Sequence, residues 1–199
     1  MVTAGRIEVQ DASETARHLL QADECALIVV DIQEKLLAPI FNSEQLVRNA
    51  QLLVRCAQIY HVPVLLTTQY AKGLGPMVPE IASLVPEATP IDKLEFDCFR
   101  LDSFSSAVKS LPGQRNTLLL CGMEAHICVL QTALGALDNG YLVHVASDAI
   151  GSRTEWNWRM SHQRMRAAGC VISSTEMMMY ELMRRSGTAE FKQMLTYLR

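Results

Sequence analysis

The stretch Leu118-Leu-Leu-Cys-Gly-Met-Glu-Ala-His-Ile-Cys-Val129 constrains this chain more than any other. It predicts an apolar strand, a tight turn at Gly122, and a helix with Cys128 in its first turn. A continuous apolar strand fits a sheet covered on both faces. A strand-to-helix turn in such a sheet points at its carboxyl edge, where ligands collect. The first helical N–H groups are unpaired, and the helix dipole places partial positive charge beside them. A thiol there is expected to have a lowered pKa, which makes Cys128 a candidate nucleophile with amides nearby for an oxyanion. Helix cysteines more often serve as small buried hydrophobes, so the chemistry needs partners.

The rest of the chain repeats the same alternation. Apolar runs at Cys25–Asp31, Val64–Thr68, Thr89–Lys93, Thr117–Cys121, Tyr141–Ala146 and Val171–Ser173 predict six strands. Between them, Leu46, Val47, Ala50, Leu53, Val54 and Ala57 share a helical face, as do Ile127, Leu130, Leu134 and Leu137. Capping boxes are expected at Asn42–Gln45, Ser152–Glu155 and Ser173–Glu176. Residues 1–24 predict a polar arm with a short helical piece around Glu14–Leu20, leaving 25–199 as the single domain. Gln69–Pro90 carries Gly73, Gly75, Pro76, Pro79 and Pro86 and predicts a long loop with one short helix near Glu80–Leu84. Strands alternating with helices imply right-handed crossovers and a three-layer α/β/α, Rossmann-like fold with a mostly parallel sheet.

In the strand order 3-2-1-4-5-6, the first and fourth strands meet at the topological switch point. Asp31 ends the first strand, Lys93 ends the third, and Cys128 follows the fourth. An acid beside a thiol can take its proton and later return it to a leaving group. A lysine nearby favours both anions and would depress both pKa values. Each residue also has an ordinary use: Asp31 as a turn residue, Lys93 as a solvated loop cation.

Composition removes several classes of function. The formal net charge is −3 with no basic stripe, which argues against nucleic acid as a partner. Six scattered cysteines without a C-x-x-C pair predict free thiols in a reducing compartment. No apolar run approaches the roughly 18 residues that span a bilayer, so no membrane association is expected. The first 24 residues lack the apolar core of a signal peptide and mix arginines with acids. The expected location is therefore cytoplasmic, with mitochondrial import left open.

Asp31-Ile-Gln33, Lys93 with Phe96, and Gly122–Val129 together resemble the isochorismatase-like cysteine hydrolase superfamily, from about Cys25 to Glu176. Thr68–Glu80 and Cys121–Cys128 resemble its eukaryotic isochorismatase domain-containing branch. The resemblance implies Cys128 as nucleophile, Asp31 as general base and acid, and Lys93 as the third member. It implies a cis peptide between Met123 and Glu124, with the N–H groups of Glu124 and Cys128 as an oxyanion hole. Superfamily members that cleave isochorismate lack the cysteine, so acyl transfer through a thioester is expected here. The zinc-binding nicotinamidase branch uses an Asp-x-His pair. This chain has Gln33 in that place, no Asp-x-His, and no ligand spacing among its five histidines, so no metal and no cofactor are expected.

The expected substrate is a small amide or another molecule with an acyl C–N bond, in a pocket drawing on Gln33, Tyr70, Phe96 and His126. His126 could equally be a solvated helix-cap residue. The alternative is a catalytically silent binding or scaffolding subunit, with a nuclease a more distant third. The resemblance also implies a homo-oligomer, a dimer or tetramer. Trp156 and Trp158 lie two apart between Arg153 and Arg159, so at least one should point away from the domain's own sheet and anchor a partner copy; the alternative is one in the core and the other against the Gln69–Pro90 loop.

Overall fold

A computed structural model describes residues 18–198. The sheet has six parallel strands in the order β3-β2-β1-β4-β5-β6: β1 (Cys25–Val30), β2 (Val64–Gln69), β3 (Ile91–Lys93), β4 (Thr117–Met123), β5 (Leu142–Gly151) and β6 (Val171–Ser173). All six residues of β1 are buried, as are all seven of β4. Successive side chains leave a strand on opposite faces, so each run feeds two cores at once. Cys25, Leu27 and Val29 join Leu119, Cys121 and Met123 under one helical layer. That layer is α2 (Ser43–Ile59), α8 (Thr175–Met183) and α9 (Ala189–Leu195). Ala26, Ile28 and Val30 join Leu118 and Leu120 under the other, made by α5 (Asp102–Lys109), α6 (Leu130–Asp138) and α7 (Glu155–Ala167). The short helices α1 (Glu34–Leu37), α3 (Ala71–Leu74) and α4 (Pro79–Ala82) stand at the carboxyl edge around the predicted loop.

Several local expectations are corrected. The β4 strand runs on to Met123 and β5 to Gly151, because pairing with neighbours continues past the apolar runs. None of the three capping boxes forms as predicted. Asn42 precedes α2, but its amide donates to the Ile150 carbonyl (3.0 Å) rather than capping the helix. The α7 helix is capped by Thr154 accepting from Asn157 N–H, two residues beyond Ser152. Ser174, not Ser173, caps α8 by accepting from Met177 N–H. Ser, Thr and Asn cluster at these turns, so spacing alone does not choose among them. Most of the arm, including the start of the helical piece at Glu14–Leu20, lies outside the described residues. Its described end at His18–Leu20 is not helical. Leu20 is buried there, and Arg184 donates to the Leu19 and Leu20 carbonyls. No helix among the described residues is long and apolar enough to cross a membrane.

Gly122 sits where β4 passes closest to β1. Its φ is +119°, and a Cβ there would stand 2.1 Å from the Val30 carbonyl oxygen. Only glycine lets the strand turn here without pushing β1 aside.

Candidate active site

The strand register builds half of the site. Thr67 and Gln69 lie two apart on β2, and Gln69 is the register partner of Lys93 on β3. Asp31 leaves β1 with φ +52°, a left-handed conformation that aspartate tolerates better than most residues. Its Oδ1 accepts from Thr67 Oγ1 (2.7 Å) and its Oδ2 from Lys93 Nζ (2.6 Å). Both charged side chains have no exposed surface. A buried pair of this kind is held only when nearly every hydrogen-bonding position is used. The Lys93 ammonium makes a second bond, to Gln69 Oε1 (2.9 Å).

The other half comes from the turn after β4. The Met123–Glu124 peptide is cis. Residues Ala125–Val129 form one π-helical turn before α6, so Cys128 stands in a wider turn than the α-helix expected from sequence. The Glu124 carbonyl accepts from Ile127 N–H (2.9 Å) and Val129 N–H (3.2 Å), and neither bond uses the Cys128 N–H. Cys128 is 5% exposed as a residue, and its Sγ lies 4.0 Å from Gln69 Oε1.

The expected depression of the thiol pKa is not found. Burial pushes Cys128 up to about 12, and the Asp31 carboxylate adds to the rise, while Lys93 pulls the other way. The turn's dipole acts on a thiol that has lost its water, and desolvation of the anion wins. Cys128 is therefore a neutral thiol at rest, beside a carboxylate able to take its proton. Burial works against the Lys93 charge, but the Asp31 carboxylate facing it, by its charge and its hydrogen bond, favours the ammonium, and the Lys93 pKa is raised on balance.

The four expected pocket residues separate. Gln33 is fully buried, and its amide is used on backbone: Oε1 accepts from Gln69 N–H (2.7 Å), while Nε2 donates to the Gln69 and Gly75 carbonyls. These bonds tie Gln33 to the end of β2 and to Gly75. Tyr70 (47% exposed), Phe96 (51%) and Leu94 (68%) are large hydrophobic side chains left exposed. His126 is half-buried with Nδ1 3.0 Å from Ser152 Oγ, and burial lowers its pKa. Glu124 pairs with Arg153 at 2.8 Å. A cavity of about 550 Å³ opens nearby between α1, α2 and Val78, but Asp31, Lys93 and Cys128 do not line it.

Sequence reasoning missed Thr67 and Gln69. Their signal was present: residues 67 and 69 share a strand face, and strand order places that face between Asp31 and Lys93. Among the described residues no group of three or more His, Cys, Asp or Glu side chains could hold a metal ion.

The chain is similar to several known proteins. The family model for the isochorismatase domain matches residues 25–177. The secreted isochorismatase effector Isc1 of Phytophthora sojae is 38% identical, covering 83% of this chain and 80% of the relative. Isochorismatase domain-containing protein 2B of Mus musculus is 35% identical, covering 87% and 80%. Among solved structures, the MAR1 ribonuclease from Caenorhabditis elegans superposes with a TM-score of 0.84 at 31% identity, covering 91% of this chain and 92% of that one. The YcaC gene product of Escherichia coli, described as an octameric hydrolase of unknown specificity, superposes with a TM-score of 0.83 at 26% identity, covering 90% of each.

Proposed function

The chain belongs to the isochorismatase domain family, and from that premise we propose that it is a cysteine hydrolase of small amides or other acyl C–N bonds. One observation carries the proposal: a fully buried Asp31–Lys93 ion pair that faces a thiol. Burying two charges costs several kcal/mol per ion, and two well-packed apolar residues would serve the fold as well. Asp31 takes the Cys128 proton as Sγ attacks the substrate carbonyl. The N–H groups of Glu124 and Cys128 receive the oxyanion, a contribution worth about 3–4 kcal/mol per donor in such sites. Asp31 then protonates the leaving amine. It next takes a proton from the water that cleaves the thioester, releasing the acid and restoring the thiol. Lys93 stays charged and holds the carboxylate in place. Tyr70, Phe96 and His126 meet the substrate at the rim.

The test is amine release from a panel of small amides, with acid-quenched samples examined for an acyl adduct on Cys128. Wild type should release amine from at least one member and Cys128→Ala from none. Hydrolysis retained in Cys128→Ala ends the covalent mechanism.

The ribonuclease among the solved relatives favours a second reading. The net charge of −3 weighs against it, since RNA binding draws on basic surface. Cleavage of RNA by wild type, lost in Asp31→Asn, would establish it. A binding or scaffolding subunit predicts no turnover on either panel.

We also propose that the chain assembles as a homo-oligomer, in line with the octameric relative. Trp158 packs inside, donating from Nε1 to the Ser147 carbonyl (3.2 Å), whereas Trp156 is 68% exposed. Light scattering should show a mass above one chain, reduced in Trp156→Ala. A wild-type mass of one chain overturns the oligomer.

A further inference from the structure

Gln69 has more hydrogen bonds at the site than its place at a strand end requires. Its Nε2 donates to the Leu94 carbonyl (2.9 Å), which fixes the amide's orientation. A flip would turn an NH₂ group toward the Lys93 ammonium and lose both bonds. With the amide so fixed, Oε1 accepts from Lys93 Nζ at 2.9 Å and lies 4.0 Å from Cys128 Sγ, at the outer limit of S–H donation. Gln69's backbone N–H and carbonyl are both bound by the buried Gln33 amide. The side chain is thus anchored at its base and at its nitrogen, with only the oxygen left to act.

We propose that Gln69 is a positioning residue, whose side-chain oxygen holds the resting proton of Cys128 and aims the Lys93 ammonium. The proposal rests on Cys128 being the reacting thiol. The groups that act on that thiol are Asp31 from the end of β1, by its charge and by a hydrogen bond, Lys93 from the end of β3, Cys98 from the turn after β3, and Gln69 from β2, a second acceptor beside Asp31. An oxygen that accepts from S–H stabilises the neutral thiol and opposes the thiolate. Gln69 therefore adds to burial and Asp31 in keeping the nucleophile protonated until a substrate carbonyl arrives and Asp31 takes the proton. Holding Lys93 at two acceptors also stops the ammonium from swinging toward sulfur and forming a thiolate early.

Two near-isosteric variants separate this role from a structural one. Gln69→Glu keeps size and acceptor but adds negative charge facing the thiol. Gln69→Met keeps size and removes the acceptor. The readout is the rate of Cys128 alkylation by iodoacetamide at one fixed pH, followed by peptide mass spectrometry on the intact full-length protein. Below the thiol pKa that rate follows the thiolate fraction, which changes about tenfold per pKa unit. Gln69→Glu should react about tenfold more slowly than wild type, and Gln69→Met about threefold faster. Equal rates in all three proteins, or a change in the same direction in both variants, overturn the proposal. The glutamate variant keeps the test decisive if the methionine variant fails to fold. Alkylation needs no substrate, so opposite shifts without any amide turnover would count against the hydrolase and leave the role of Gln69 standing.

Discussion

The two halves of the site are held in different ways. On the β1-β2-β3 side, Asp31, Thr67, Gln69 and Lys93 are tied by bonds of 2.6–2.9 Å into a buried, charged unit. On the β4 side, the Cys128 thiol meets that unit weakly, through a hydrogen bond toward Asp31 and a 4.0 Å contact with Gln69 Oε1, and burial favours its neutral form. The charged half is assembled by short hydrogen bonds; the thiol is placed beside it and only weakly bonded. The difference teaches that this site separates its costs. Charge burial is compensated within one half, and the other half can change protonation and bonding without unpicking the fold.

That contrast can be broken most sharply at Cys128. Cys128→Ala should abolish turnover and leave the melting temperature near wild type, because the thiol has no strong partner to lose. A large fall in melting temperature would show that the thiol is bound into the fold after all. Asp31→Asn should cut turnover by about 10²–10⁴ through lost proton transfer.

Lys93→Met should act on stability as well as on rate. It strands a buried carboxylate, an event that costs about 3–5 kcal/mol. The double variant Asp31→Asn with Lys93→Met removes both charges and should regain most of that loss in urea unfolding. Equal stability of the single and double variants would mean that the pair is solvated in solution. Thr67→Val, which deletes one bond to the same carboxylate, should cost about 1.5–3 kcal/mol.

The smallest effect is on the pH dependence of stability. Burial pushes the thiols of Cys56, Cys121 and Cys128 from 9.0 to about 12. As pH rises from 9 toward 12 the unfolded chain releases thiol protons that the folded chain keeps. Their contribution is therefore full below pH 9 and is lost as pH climbs, by up to about 1.4 kcal/mol per pH unit per group. Cys128→Ala should flatten this alkaline slope by one group. At the other end, burial lowers His144 from 6.5 to about 4, so its contribution is present above pH 6.5 and is lost as pH falls toward 4. Urea midpoints measured across pH check both limbs.

The sequence by itself determined the architecture. Short unbroken apolar runs such as Cys25–Val30, alternating with helical periodicity, fit strands covered on both faces and joined by parallel crossovers. It also brought Asp31, Lys93 and Cys128 to one sheet edge, because Lys93 is the last residue of its strand and the other two follow strand ends. Tertiary structure alone decided what these groups do to one another. Desolvation depends on atoms from every layer, so the rise of the Cys128 pKa could not be read from a helix N-terminus. Gln33 was legible as a polar residue two beyond Asp31, but not that both ends of its amide would be used on backbone. Gln69 lies 59 residues from Cys128 along the chain, and only the packing of β2 between β1 and β3 places its oxygen between the thiol and the ammonium.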